Sequence, residues 1–224
     1  MKKLLLCVMF VLIIVGYNRV HAQDIHINSY LGTEGSIDIS YPVTQHEQLD
    51  KQIRRYVYGI LKAYKRDYEY MLEDNIDPID QAMVSLDCSI AGSGSRYLSI
   101  WCDGYRYVGG AHGSQWVKTF NYDLMHKKMI TLVSLISKGK LKLISHNLYR
   151  YFVLELQAVD NDSKQWIKSG LVADYNNYQD FVIQSSSGST IDTLLFYFEP
   201  YQLASYTVGS HRVKVAYPSG KIAR

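Results

Sequence analysis

Apolar and polar residues change period several times along this chain, and each change marks an element. Between residues 24 and 43 they alternate: Ile25 and Ile27, then Ile37, Ile39 and Tyr41, around a Leu-Gly-Thr-Glu-Gly-Ser turn. Period two on either side of a glycine-bearing turn predicts a β-hairpin that ends at Pro42. Residues 47–72 switch to helical period, and Leu49, Ile53, Tyr56, Val57, Ile60, Tyr64, Tyr68 and Met71 fall on one face. Tyr56, Tyr64 and Tyr68 are therefore expected in the core, while Tyr58 and Tyr70, off the stripe, are expected to be exposed. The helix stops at Asp-Asn-Ile-Asp-Pro, because Pro78 cannot continue it.

Residues 83–108 give the clearest hairpin. Val84, Leu86, Cys88 and Ile90 alternate with polar positions, Ala-Gly-Ser-Gly-Ser turns the chain, and Leu98, Ile100 and Cys102 resume the apolar face. With the turn centred near Ser95, Cys88 and Cys102 point to the same side and face one another across the strands. The opposite parity carries Tyr97, Trp101, Asp103, Tyr105 and Tyr107, unless a bulge at Gly104 reverses the later part. Such an aromatic row is either covered by another element or serves as a contact surface; Trp101 is expected to be exposed.

After Gly-Gly-Ala-His-Gly-Ser a further strand runs to Tyr122, with Trp116, Phe120 and Tyr122 on one parity. Thr-Leu-Val-Ser-Leu-Ile-Ser leads into a second amphipathic helix striped by Leu141, Ile144, Leu148, Tyr151 and Phe152. Residues 157–180 are mixed and read as a short helix and a loop. Asp-Phe-Val-Ile-Gln and Ile-Asp-Thr-Leu-Leu-Phe-Tyr-Phe form another hairpin, and Val213, Val215 and Tyr217 alternate in a last strand. The pattern is α+β, with antiparallel sheet and two main amphipathic helices.

The first 22 residues change how the charge is read. Lys2 and Lys3 precede an apolar run from Leu4 to Gly16, and Val-His-Ala ends at Ala22, so residues 1–22 are expected to be a signal peptide cleaved after Ala22. Cys7 lies within the apolar run rather than at the cut, which argues against a lipid anchor. The run is also shorter than the roughly 20 residues of a membrane span. The chain has 24 Lys and Arg against 21 Asp and Glu; with Lys2, Lys3 and Arg19 removed, the remainder is neutral. That balance gives no general attraction for nucleic acid or anionic membrane. An exported chain keeps Cys88 and Cys102 in oxidising surroundings, where they are expected to pair as a disulfide. The 20 tyrosines against 6 phenylalanines mean either that tyrosine packs in phenylalanine's place or that it forms a recognition surface.

Familiar catalytic spacings are absent. His112, His126, His146 and His211 are far apart, with no zinc-type pairing, no Cys-x-x-Cys and no Gly-x-Ser-x-Gly elbow. Neither serine-glycine turn has the lysine and following helix of a phosphate loop. No metal or other cofactor is expected. His112 invites two readings: a side chain that steadies a glycine bend by bonding a nearby carbonyl, or one at the mouth of a groove lined by Trp101, Tyr105 or Trp116.

Several separated stretches together resemble a family of exported bacterial domains. These are Ile-Asp-Ile-Ser-Tyr-Pro-Val before the long helix, Tyr-Val-Gly-Gly-Ala-His-Gly-Ser at 107–114, and the run from Phe120 to Ser137. The closing stretch 194–218 is similar at Phe198, Pro200, Tyr201, Ala204, Tyr206, Gly209 and Tyr217, with Ser205 where the family often has proline. Domains of this kind, PdaC-type and RsiV-type, form the extracellular part of a lysozyme-sensing anti-sigma factor and a noncatalytic module beside a peptidoglycan deacetylase. The resemblance implies an N-terminal module over 23–122 and a C-terminal module over 123–224, packed as one unit, but no catalytic residue.

The expected function is a soluble, periplasmic or secreted cell-envelope protein that binds a wall glycan such as peptidoglycan, or a lysozyme-like (muramidase) protein. Trp101, Tyr105, Tyr107, His112 and Trp116 are the candidate binding residues. The alternatives are a cell-wall hydrolase that uses His112 with a carboxylate, and a purely structural envelope protein.

Overall fold

The computed structural model describes residues 11–12, 23–31, 35–73 and 82–223. Apart from the two-residue strand β1 (Val11–Leu12), the expected signal peptide lies outside the described residues. The first hairpin follows its alternation: β2 (Gln23–Leu31) and β3 (Gly35–Val43) pair antiparallel, with Ile25 opposite Tyr41 and Ile27 opposite Ile39. The long helix α1 (Glu47–Glu73) follows. Its Asp50, buried, accepts hydrogen bonds from the Thr44 amide at 2.8 Å and the Thr44 hydroxyl at 2.7 Å, which fixes the angle at which the chain enters the helix.

The apolar stripe of α1 is buried at Leu49, Ile53, Val57, Tyr64, Tyr68 and Met71, and the helix packs on β3. Tyr58 and Tyr70 stand exposed, as their phase requires. Tyr56 is half-buried rather than core, because it sits at the margin of the stripe.

The next strand, β4 (Met83–Ser93), runs parallel to β3, with Ile39 opposite Leu86. The α+β pattern with antiparallel sheet is observed, and this junction adds one parallel pair to it. A hairpin reverses the chain, whereas a 27-residue crossover helix, about 40 Å long at ~1.5 Å per residue, returns it to the same end of the sheet. Strand β5 (Tyr97–Tyr107) follows. Cys88 and Cys102 form the expected disulfide, with S–S 2.07 Å and Cα–Cα 3.9 Å.

The remaining elements are β6 (Ser114–Asp123), β7 (Lys128–Ile130), α2 (Leu132–Leu135), α3 (Lys138–Glu155), α4 (Asn161–Gly170), β8 (Phe181–Gln184), β9 (Thr193–Phe198) and β10 (His211–Ala216). Strands β1 to β7 follow chain order in one sheet; β10, β9 and β8 make a second, antiparallel sheet. Strand β7, which periodicity does not reveal, is three residues long and pairs Ile130 with Asn121. Its turn is made by Asp123, whose carboxylate accepts from the amides of Met125 and His126, each at 2.9 Å.

By contact density the chain divides into two compact units, Met1–Ser89 with Cys102–Trp116, and Ile90–Trp101 with Val117–Arg224. In the second unit the α3 stripe of Leu141, Ile144, Leu148 and Phe152 packs against Phe196, Phe198, Val213 and Val215. Tyr151 is half-buried at its edge.

Trp101 belongs to the second unit and is a correction to the sequence reading. It is 6% exposed and packs with Val117, Val182 and Tyr197. Strand β5 is buried on both faces from Leu98 to Cys102. The covering strands β8 and β9 lie some eighty residues further on, so no local pattern could announce them.

Ser99, Thr119 and Asn121 reach from β5 and β6 to the outer edge of β8. Asn121 Nδ2 donates to the Phe181 carbonyl at 2.8 Å, and the Phe181 amide donates to Thr119 Oγ1 at 3.0 Å. The Ile183 amide donates to Ser99 Oγ at 3.2 Å and to Asn121 Oδ1 at 3.3 Å. These side chains do for that edge what another strand would do, so its buried backbone groups are satisfied.

Candidate functional site

The aromatic cluster of the first unit grows out of two glycines. On β5, Gly104 is buried under the ring of Trp116; a Cβ placed there would lie 2.1 Å from Trp116 Cε2. On the connection to β6, Gly113 lies under Tyr105, where a Cβ would come within 2.3 Å of the ring. Each strand therefore lends an aromatic ring to a glycine of the other, and only hydrogen at those two positions lets the rings lie this close. The bulge considered at Gly104 is thus less telling than the ring resting on it.

The indole of Trp116 is fixed at its far end as well, because its N–H donates to the Tyr56 hydroxyl of α1 at 2.7 Å. Trp116 and Tyr105 remain half-buried, so each ring is held in a defined orientation while part of it meets solvent. Tyr107 donates from its hydroxyl to the Gly110 carbonyl at 3.0 Å, which straps the loop back onto the end of β5. Gly109 and Gly110 have φ of 106° and 94°, conformations that side-chain-bearing residues seldom adopt.

His112 is exposed on this loop, and its Nδ1 lies 2.9 Å from the Gly113 carbonyl. A carbonyl only accepts, so that bond places a proton on Nδ1. The same unit ties α1 to β5 through Arg106 and Asp67, 2.6 Å apart, with Arg66 on the other carboxylate oxygen at 2.9 Å.

Of the five candidate residues, the structure brings Tyr105, Tyr107, His112 and Trp116 onto β5, the glycine loop and the start of β6. Trp101, four residues before Tyr105 on the same strand, is core instead. Sequence reasoning missed Tyr56, which as a member of the helix stripe gave no sign that its hydroxyl would anchor an indole sixty residues away. It also missed the roles of Gly104 and Gly113; their signal was a glycine at each end of a strand connection dense in aromatics.

Among the described residues, no three His, Cys, Asp or Glu side chains converge as they would around a metal ion, and no helix is long and apolar enough to cross a membrane. What the cluster offers chemically is flat apolar surface flanked by hydroxyl, imidazole and carbonyl groups. That surface suits recognition of a ring with one apolar face and a polar rim.

Residues 33–115 match the family model described as Deacetylase PdaC, a span that holds Tyr105, Tyr107 and His112 and stops one residue before Trp116. Over 177 residues the chain is 22% identical to the peptidoglycan-N-acetylmuramic acid deacetylase PdaC of Bacillus subtilis (strain 168). The alignment takes in 79% of this chain and 36% of that protein, so the chain spans about a third of the length of this relative. The crystal structure of a DUF3298-family member from Bacteroides fragilis superposes with a TM-score of 0.59 at 14% identity, over 97% of this chain and 94% of its own. One from Pseudomonas aeruginosa PAO1 gives 0.59 at 18% identity, over 96% and 94%. At these identities the two structures share the fold.

Proposed function

We propose, from the match of residues 33–115 to the PdaC family model, that this chain is an exported binding module of the bacterial cell envelope. Its ligand is a wall glycan, received on the rings of Tyr105 and Trp116 with Tyr107 and His112 at the margin. The observation that carries this reading is the way the two rings are held. Each is seated on a glycine, and Trp116 is pinned by Tyr56, so both offer apolar surface with little conformational freedom left to lose. Sugar rings have apolar C–H faces that stack on such surfaces, and hydroxyl rims that bond to groups like the Tyr107 hydroxyl and the His112 imidazole. Peptidoglycan enters as the ligand because it is the material in the name of the Bacillus relative. Export follows from the basic, apolar and small-residue sequence of residues 1–22, with cleavage after Ala22.

Co-sedimentation with purified peptidoglycan sacculi tests the proposal. The wild-type chain sediments with sacculi, and Tyr105→Ala weakens that binding by on the order of 2 kcal/mol while its thermal midpoint stays within a few degrees of wild type. Sacculi that leave the wild type in the supernatant, or a Tyr105→Ala variant that binds equally well, overturn the reading. Retention of a lysozyme in place of sacculi overturns the glycan as ligand.

A further inference from the structure

In the second unit, a groove of about 470 Å³ runs between α3 and α4. Lys142, His146 and Arg150 stand at four-residue intervals on α3 and so share one face. Lys168 lines the groove from α4, and Tyr149 and the exposed Val172 give it apolar surface. No carboxylate lines the groove, and among the described residues none of these four basic side chains forms an ion pair. The carbonyls of Gly170, Leu171 and Val172, at and just past the C-terminus of α4, would otherwise set negative charge beside the groove and are hydrogen-bonded. Gly170 O accepts from Gln202 Nε2 at 3.1 Å and Val172 O from Asn177 Nδ2 at 3.1 Å. Leu171 O accepts from the hydroxyls of Ser145 and Tyr178. Asp174, just beyond, is turned to its own loop and accepts from the Asn176 amide at 2.8 Å.

We propose that this groove binds a short acidic peptide segment. Four-residue steps on a helix rise about 6 Å, close to the ~6.7 Å between alternate side chains of an extended peptide. Carboxylates at alternate positions of such a peptide therefore meet Lys142, His146 and Arg150 in turn. The apolar surface of Tyr149 and Val172 takes the methylene stems that carry those carboxylates, which a bare phosphate lacks. The volume falls in the range of small-ligand sites and accommodates a few residues. The inference does not depend on the glycan reading, since it concerns the other unit and a different chemistry.

The test is an NMR titration of the whole exported chain with the blocked peptide acetyl-Glu-Ala-Glu-amide. Acetyl-Gln-Ala-Gln-amide, inorganic tripolyphosphate and phosphatidylglycerol vesicles are titrated in parallel. The acidic peptide shifts the amide signals of Leu171 and Ala173, and the amide peptide does not. Lys142→Ala combined with Arg150→Ala weakens the acidic peptide about tenfold, while Lys138→Ala, outside the groove, leaves it unchanged. Unmoved Leu171 and Ala173 signals, equal binding of the two peptides, or tighter binding of tripolyphosphate or vesicles than of the acidic peptide each overturns the proposal.

Discussion

The guanidinium of Arg212 lies 4.5 Å from the ring of Trp101, and Tyr197 meets the same indole edge-on with centroids 5.4 Å apart. Trp101 is thus the centre of a packed layer. Trp101→Ala is expected to cost about 3–5 kcal/mol of stability, as core aromatic truncations do. Arg212→Ala, which removes the cation over the ring, is expected to cost at least about 0.5–1 kcal/mol. Urea denaturation of both variants checks the pair; a Trp101→Ala protein as stable as wild type contradicts the packing described.

Asn121 satisfies a carbonyl and shares an amide of the β8 edge while bonding Ser99 Oγ at 2.6 Å. Asn121→Ala leaves the buried Phe181 carbonyl without its partner. A loss of about 1–3 kcal/mol is expected, together with faster hydrogen exchange at the Ile183 amide. Unchanged exchange there would mean that the edge is held by something else.

Tyr64 and Tyr178 are both fully buried, and burial pushes each phenol up to about 12, with the neighbouring Tyr68 adding to the rise at Tyr64. Their hydroxyls differ. Tyr178 donates to the Leu171 carbonyl at 2.8 Å, whereas the Tyr64 hydroxyl has no hydrogen-bond partner among the described residues. Tyr64→Phe is expected to be neutral or to stabilise by up to about 1 kcal/mol, and Tyr178→Phe to cost about 1–2 kcal/mol. Thermal unfolding of the two variants should show opposite signs; a destabilised Tyr64→Phe refutes the assignment.

Gly104→Ala would drive a methyl group into the Trp116 indole. The ring is expected to leave its seat and lose the bond to Tyr56, with a change in tryptophan emission and a loss of the proposed glycan binding larger than the loss of stability. Emission identical to wild type would show that the ring does not depend on the glycine.

Two groups contribute to the acid limb of stability. Burial holds the His211 imidazole below its usual 6.5, against the opposing charge of Glu155. The ring is neutral in the fold, so stability is full above that value and falls as pH drops through the window beneath it. For Asp123, burial pushes the carboxyl up. The ring bond from His126, the amide bonds of His126 and Met125 and the charge of His126 together outweigh that and hold it below the usual 3.8. Its contribution is present above that value and is lost as pH falls further. Urea midpoints measured from pH 7 to pH 3 should fall in two stages, and His211→Phe should remove the first. A profile flat to pH 4 is incompatible with this account.

Local periodicity was enough to place the longer elements. The stripe from Leu49 to Met71, the alternation around Cys88 and Cys102 with its disulfide, and the α3 stripe all appear where spacing put them. These are properties of neighbours in the chain, and a helix or strand exposes them every few residues. The parallel entry of β4, the burial of Trp101 and the pinning of Trp116 by Tyr56 were decided by tertiary structure alone. In each case the deciding partner lies far along the chain: a helix that carries the strand back to its starting end, a second sheet that closes over β5, and a hydroxyl sixty residues away. Strand parity says that a side chain points to one face, but only the assembled fold determines whether that face meets water or another layer of protein.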